Sequence, residues 1–493
     1  MDWPGSVPET RVLAVNRQPV RSDGEFVCYW MTAARRTRCN FALQRAVWWA
    51  SDLGKPLVVL EDLRCGNPWD CDRFHRFVLD GMRDNARRLQ GTGTLYYPYA
   101  EPEPAAAEGL VATLSAHACV IVTDDVPCFT LPALVSAAGR QSQVLLEKVD
   151  SNGLLPLRAA DRVYPTAHSF RRFLQRALRD HLTDLPLEDP LSGVSLPALE
   201  QLPQDLTSRW PQACPELLDP GNQALRGMPL DHRVTPVSQK GGSEAAEAVL
   251  ERFLSEKLAA YPEARNHPDD DATSGLSPYL HHGHLSVHQV FAEVVGREGW
   301  SVEQLSDSRR GSRSGWWGLE AAAEAFLDEL VTWREIGYNM AARREDYDRY
   351  ESLPEWALTT LARHADDPRP YLYDLEDLVA ARTHDPLWNA AQRQLVREGR
   401  IHNYLRMLWG KKILEWSPSP QEAVAAMVEL NNRYALDGRD PNSYSGIFWC
   451  LGRYDRAWGP ERPIFGKVRY MSSENTVRKT RVRRYLQRYG SEE

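Results

Sequence analysis

The stretch FVCYWMTAARRTRCNFALQRAVWWASDLGKPLVVLED, residues 26–62, decides the fold class. Its first six residues are apolar and rich in aromatics, the composition of a buried strand. CNFALQRAVWWASDLG, 39–54, follows with apolar residues at helical spacing and ends on Gly54, where a helix commonly stops. PLVVLED, 56–62, is a second apolar run, too short for a helix of ordinary length. Outward from this unit, CDRFHRFVLDGMRDNARRLQ (71–90) is helical, and CVIVTDD (119–125) and VLLEKVD (144–150) supply further strands. Strands alternating with helices predict a Rossmann-like, parallel, doubly wound sheet over residues 21–183, after an extension at 1–20. This half has no GxGxxG and no Walker A sequence, and so offers no standard phosphate cradle.

Residues 184–242 are proline-rich, as in DLPLEDPLSGVSLPALEQLPQDL, and read as a long inter-domain linker. From 243 to 493 the periodicity is helical, so the expected order is an α/β domain, a linker and an all-α domain. The chain has 493 residues, and two domains suit that length. No run of about 18 apolar residues marks a membrane span, and MDWPGSVPETRVLAVNRQ lacks the pattern of a signal peptide. The eight cysteines are scattered without a CxxC pair, and Cys450 is the only one after residue 240, which argues for a reducing cytoplasm and against a zinc ribbon or a cysteine-held iron–sulfur cluster in the C-terminal half. The net charge of −8 carries no global nucleic-acid signal, yet KVRYMSSENTVRKTRVRRYLQRYG, 467–490, holds eight basic residues and one acidic. Such a run is either a solvated face or a local phosphate-binding patch.

Several motifs suggest chemistry. TSGLSPYLHHGHLSVHQ, 273–289, encodes two helix starts: Ser277 before Pro278, and Ser286 with Gln289 as a capping box. A small polar turn entering a helix N-terminus can bind an anion, although most capped helices bind nothing. His281, His282, His284 and His288 share no common face and no carboxylate, so no metal site is expected. LDGRDPNSYSG, 436–446, is a polar loop in which Asp437 matters if a buried cation such as Arg406 faces it. Trp409 and Trp416 lie seven residues apart in LRMLWGKKILEW, about two helical turns, with Trp388 upstream. Aromatics at that spacing are usually core; a redox path is the alternative.

Taken in order, SGLSPYLHHGHLS, ELVTWRE, THDPLWNAAQ, RIHNYLRMLWGKKILEW, LNNRYALDGRDPNSYSG and ERPIFGKVRYM resemble the class II cyclobutane pyrimidine dimer photolyases of the photolyase/cryptochrome superfamily. YWMTAARRTRCNFALQRA, HRVTPV and VDSNGLLP extend the resemblance over nearly the full length. It implies a light-driven deoxyribodipyrimidine photo-lyase with a U-shaped FAD in the helical domain. Light-excited, reduced FAD would lend an electron to a flipped-out dimer in double- or single-stranded UV-damaged DNA. By similarity, Tyr261, Thr273, Ser274, Gly275, Leu276 and Ser277 hold the diphosphate, with Arg334 and Asn442 also in the cofactor set. Asn431 faces flavin N5, Asp437 and Gly438 run along the ring edge, and Arg406 pairs with Asp437. Glu329 bonds the dimer bases, Trp333 and Trp449 pack on it, Met407 lies between lesion and flavin, and Asn403 joins the substrate set. Trp409, next to the flavin, Trp388 and the surface Trp416 form an electron-hopping path. Lys411, Lys412, Arg478, Lys479, Arg483 and Arg484 are the expected DNA-backbone contacts, and a monomer without metal is expected.

Within this superfamily, six–four repair needs two histidines, and Asn403 and Met407 stand at those positions. A signalling cryptochrome without repair activity is the remaining alternative, disfavoured by the pocket set and the basic tail. The chain departs from the family at His282 and His284, which replace an aromatic and a glutamine, and at SENTVRKT after FGKVRYM. An antenna chromophore of deazaflavin or folate type is left open.

Overall fold

The computed structural model describes residues 6–219 and 224–491. Residues 1–5 of the expected extension, 220–223 of the expected linker and 492–493 of the tail lie outside them. Two compact units emerge: residues 1–161, 177–250 and 276–302 form one, and 162–176, 251–275 and 303–493 form the other.

The first unit is built on a six-stranded sheet. Its strands are β1 (Val12–Ala14), β2 (Phe26–Met31), β3 (Leu57–Leu63), β4 (Leu95–Ala100), β5 (Ala118–Asp124) and β6 (Leu146–Val149), in the spatial order β1-β6-β5-β2-β3-β4. All pairings are parallel except β1 with β6, where Val12 faces Val149 at an antiparallel edge. The expected strands are present; β1 and the proline-containing β4 are additions. Alternation along β2 sends Phe26, Cys28 and Trp30 to one face and Val27, Tyr29 and Met31 to the other. The Phe41–Leu53 helix covers the second face. Asn40 starts it by accepting from the amides of Ala42 and Leu43, and Gly54 ends it in the left-handed region at φ 62°.

The proline-rich segment is not a free linker. Leu202, Leu206 and Trp210 fill the first face of the sheet, and Trp210 donates its indole N–H to the Ala106 oxygen at 2.9 Å. Tyr97 donates to the Trp210 oxygen at 2.6 Å. The short Gln204–Arg209 helix within this segment carries Leu206, which joins Leu202 and Trp210 in covering that face. The expected border at 243 shifts for a similar reason, since 243–250 and 276–302 belong to the sheet-containing unit. There His284 packs over the Asp72–Leu89 helix, where a Cβ on Gly81 would lie 2.3 Å from its Nε2.

The second unit is helical. Its helices include Ala321–Leu327, Arg334–Arg343, Pro386–Glu398, Asn403–Trp416, Pro420–Tyr434, Pro441–Trp449, Ser473–Lys479 and Arg483–Tyr489. Three of these begin with a carboxylate or hydroxyl cap followed by proline. Asp385 accepts from Leu387 and Trp388, Ser419 from Glu422, and Asp440 from Asn442. Gly410 lets the Asn403–Trp416 helix close on its neighbours, since a Cβ there would lie 2.5 Å from Cys450 Sγ and 3.0 Å from Met427 Sδ. No described helix is long and apolar enough to cross a membrane.

Candidate active site

Arg406 rises from the Asn403–Trp416 helix and meets the loop that ends the Pro420–Tyr434 helix. Its Nη2 lies 3.0 Å and 3.3 Å from the two carboxylate oxygens of Asp437, and its Nη1 donates to Asn431 Oδ1 at 3.5 Å. Both members of the pair are half-buried, so the ion pair keeps contact with solvent. Asn431 is buried and donates to Ser443 Oγ at 2.6 Å. Asn432 braces the loop by accepting from the Arg439 amide at 3.0 Å and donating to Tyr444. Gly438 sits where a Cβ would come within 2.8 Å of the Asn431 oxygen, so only glycine lets the loop turn this tightly. Arg334 donates to Tyr338, whose hydroxyl donates in turn to Asp440 at 3.2 Å. Asp440 then caps Asn442. The structure thus brings Arg406, Asn431, Asp437, Gly438 and Asn442 onto one rim, with Arg334 connected to it through two hydrogen bonds.

Glu329 and Trp333 lie on a π-helical segment, Asp328–Trp333. Such a widened turn re-aims side chains and is often found at functional sites. Glu329 pairs with Arg265, which also sits 5.4 Å over the ring of buried Tyr261. Burial raises the Glu329 carboxyl above the usual range while Arg265 opposes that rise. The next helix, Arg334–Arg343, closes on Pro441–Trp449 through Gly337, whose Cβ would fall 2.7 Å from Ser445 Oγ. Trp333 and Trp449 are half-buried at ends of these packed helices. Met407 is half-buried beside Cys450, while Asn403 is exposed at the helix start.

The turn residues Thr273, Ser274 and Gly275 are half-buried, and Gly275 adopts φ 71°. The expected cap at Ser277 is a correction. Ser277 is exposed and is the first residue of the helix, whose cap position is Leu276 without a side-chain bond. That helix is only five residues long, so its dipole adds little; the turn's own amides and hydroxyls would have to carry a phosphate. Ser286 does cap the next helix, through the His288 amide rather than that of Gln289. No cluster of three or more metal-ligating side chains occurs among the described residues.

Two further expectations change. Lys411 and Lys412 are buried rather than facing DNA. Lys411 donates to the Cys450 oxygen at 2.6 Å and lies 5.2 Å from the Trp449 ring, and burial lowers its ammonium to about 8. Lys412 pairs with Glu415 at 2.9 Å. The helix is packed on nearly all sides, so even Lys411, on the opposite side from Trp409, is covered by a neighbouring segment. Arg478, Lys479, Arg483 and Arg484 are exposed.

Trp409, Trp388 and Trp416 are all buried, at 2%, 0% and 2% exposure, so Trp416 is not the surface residue expected. Tyr373 and His384 cover it, each ring 5.3 Å away. The exposed Tyr371 stacks on His384 at 3.8 Å. Trp409 donates to Gln392 Oε1 at 2.9 Å. The pair Tyr371 and Tyr373 escaped sequence reading; the alternating aromatics of YLYDLED were the available signal.

No protein-family model matches the chain. It is similar to the deoxyribodipyrimidine photo-lyase of Methanothermobacter thermautotrophicus, 34% identical over 479 residues that cover 97% of each chain. The deoxyribodipyrimidine photo-lyases of Potorous tridactylus and Oryza sativa subsp. japonica are each 33% identical, covering 96% and 93% of this chain and 85% and 86% of their own. A crystal structure of a bacterial class III photolyase from Agrobacterium tumefaciens shares the fold, with a TM-score of 0.68 at 18% identity over 95% of this chain and 86% of that one. With Arg406, Asp437 and Asn431 joined in the same helical unit as three buried tryptophans, and relatives of this identity along its whole length, the chain belongs to the deoxyribodipyrimidine photo-lyase family.

Proposed function

We propose that this protein is a class II, FAD-dependent photolyase that repairs cyclobutane pyrimidine dimers in double- and single-stranded UV-damaged DNA. The observation that carries this reading is the Arg406–Asp437 pair, bonded to Asn431, in the same helical unit as the Trp388 and Trp409 indoles. The donor set fits a flavin nucleotide. Among the described residues, Gln392 Nε2 and both ring nitrogens of His402 are buried in this unit without a partner, which leaves hydrogen-bonding capacity for a polar guest. Reduced FAD, when bound, supplies the light-excited electron that opens the cyclobutane ring.

The protein's part is binding, orientation and electrostatics. Arg406 sets a fixed cation at the rim, favouring an anionic guest, and Asp437 holds that cation in place. Thr273, Ser274, Gly275, Leu276 and Ser277, with Tyr261, would hold the diphosphate. Photolyases are among the enzymes that take the target nucleotide out of the duplex, at a cost lowest where pairing is already damaged. Glu329 would meet the polar edges of the extruded bases, and Trp333 and Trp449 would stack on their faces beside Met407. Trp409, Trp388 and Trp416 would refill an oxidised cofactor with electrons from the surface.

Protein loaded with FAD, chemically reduced and illuminated with blue light in the presence of a chelator, is expected to restore thymine dimers to thymines. Dimers left intact under light would overturn the photolyase reading; flavin photoreduction without repair would favour the cryptochrome one.

A further inference from the structure

Basic residues in this protein are mostly partnered, as in Arg344 with Asp346, Arg382 with Asp377 and Arg481 with Asp270. Besides the tail residues Arg478, Lys479, Arg483 and Arg484, a second region of the helical unit is different. The loop SDSRRGSRSGWWG, 306–318, carries Arg309, Arg310 and Arg313 against a single carboxylate, Asp307. All three arginines are exposed, and none makes an ion pair within 4 Å among the described residues; Arg313 alone has a carboxylate, Glu329, near enough to feel its charge. Beneath them runs the exposed side of the Ala167–Ala177 helix, AHSFRRFLQRA, which contains no acidic residue. Arg172 and Arg176 are exposed there, and Arg176 Nε donates to the Arg172 main-chain oxygen at 3.1 Å. A Cβ on Gly311 would lie 2.6 Å from Arg172 Cγ, so loop and helix form one continuous surface.

The loop is also held in shape. Gln175 clamps it on both sides, accepting from the Gly311 amide at 2.7 Å and donating to the Ser312 oxygen at 2.9 Å. Glu324 accepts from the amides of Gly315 and Gly318. Buried Trp316 and Trp317 anchor its end. Gly311 needs its φ of 77° to make the turn. A solvated arginine run that only kept the protein soluble would need no such scaffold. Five guanidinium groups held close together on a chain of net charge −8 repel one another, a cost offset only when an anion arrives.

Position says which anion. Arg313 stands close enough to Glu329 to pull its carboxyl down. Arg171, on the inner side of the same helix, grips Asp328 with bonds of 2.7 and 2.9 Å. The basic surface is therefore built onto the segment that carries Glu329 and Trp333. We propose that Arg172, Arg176, Arg309, Arg310 and Arg313 form a second phosphate-binding surface, which takes the backbone of duplex DNA flanking the lesion. This proposal rests on the photolyase reading of the Glu329 pocket. Phosphate contacts of this kind position a duplex without reading its sequence.

The test is the salt dependence of duplex binding by FAD-loaded protein carrying R309A, R310A and R313A together. Each lost phosphate contact removes about 0.9 from the slope of log affinity against log salt. The slope should therefore fall by about 2 to 3, and affinity near 0.1 M salt by roughly tenfold or more, for damaged and undamaged duplex alike. The loss should disappear with a single-stranded lesion probe of about five nucleotides, too short to reach past the pocket. Lysine at the same three positions should restore most of the slope, since charge rather than shape is read. An unchanged slope in the alanine variant, with FAD content and melting intact, overturns the proposal, as would a loss confined to RNA or to a protein ligand. Wild-type protein that binds duplex steeply but repairs nothing under light would count against the photolyase reading and not against this surface.

Discussion

The indole N–H of Trp388 donates to the main-chain oxygen of Trp409 at 3.0 Å. This bond joins the Pro386–Glu398 and Asn403–Trp416 helices, and the Trp388 ring stands edge-on to Trp416 with centroids 5.5 Å apart. Aromatic edges at that separation pass an electron readily, and the same contacts are ordinary core packing. Substitution separates the two. Trp409→Phe and Trp388→Phe should nearly abolish photoreduction of oxidised flavin, while protein reduced chemically beforehand still splits dimers. Losing the Trp388 bond costs about 1 kcal/mol and the smaller ring a further 1 or so, a modest fall in melting temperature. Flavin-loaded Trp409→Phe protein that photoreduces normally would dismiss the relay and leave repair standing.

Trp416, being buried, cannot meet an external reductant directly. Tyr373 packs on it and shares a 2.8 Å hydrogen bond with His384 Nδ1, so a phenol that gives up an electron has an adjacent base for its proton. Tyr373→Phe keeps the ring and removes that proton route. Transient absorption should then show the tryptophan radical decaying more slowly and only by recombination with the flavin, with a lower yield of reduced flavin under continuous light. Trp416→Phe should be milder than Trp409→Phe, because the inner two indoles remain.

The parts of the molecule governed by short-range rules were legible in the sequence. The helix expected at PLWNAAQ is present and is capped by Asp385, whereas RDPNS, read as part of a polar loop, starts a further helix under the same aspartate–proline cap at Asp440. The sheet strands β2 and β5 were equally plain, since a strand buried on both faces is continuously apolar. What failed depended on the third dimension. Lys411 and Trp416 occupy positions whose exposure is set by neighbouring segments, Cys450 for the one and Tyr373 for the other, which local spacing does not encode. The Trp210 segment was mistaken for linker because its prolines hide how much apolar surface it delivers to the sheet.

Among the expected DNA contacts only the tail residues remain exposed. Arg483→Ala with Arg484→Ala should weaken binding to damaged and undamaged DNA by similar factors and lower the salt slope by about 1 to 2. Lys411→Met should leave the slope unchanged, since its ammonium never meets solvent. A lower slope for Lys411→Met would show that the helix opens when DNA binds.

Two histidines set an acid limit. His284 is pushed down to about 3 and His402 to about 4, in both cases first by burial. The unfolded chain takes up protons near 6.5, where the folded one refuses them, so stability is complete above about pH 6.5 and falls steadily toward pH 4. His402→Gln should flatten this fall in chemical-denaturation midpoints measured between those limits. A pH profile identical to the wild type would remove His402 from the account.

The segment just before the Thr273–Gly275 turn is held by the C-terminus. Asp269 accepts from the amides of Arg484 and Tyr485, its own amide donates to the Arg481 oxygen at 3.0 Å, and Arg481 pairs with Asp270. The helix that supplies these contacts is itself docked by Tyr485 on Gln394 at 2.8 Å and Tyr489 on Glu398 at 2.7 Å. Magnitudes rank the variants. The Arg481–Asp270 pair is solvent-exposed, and such pairs contribute between nothing and about 1 kcal/mol, so Arg481→Ala should loosen FAD by less than about fivefold. Tyr485 is 4% exposed, and losing a buried aromatic costs about 3 kcal/mol or more, enough to undock the helix and release the turn. Tyr485→Ala should therefore cost far more FAD affinity than Arg481→Ala in a fluorescence titration, with the sheet-containing unit still folded by limited proteolysis. Equal FAD affinity in Tyr485→Ala and wild type would mean that the turn keeps its shape without the C-terminal helix.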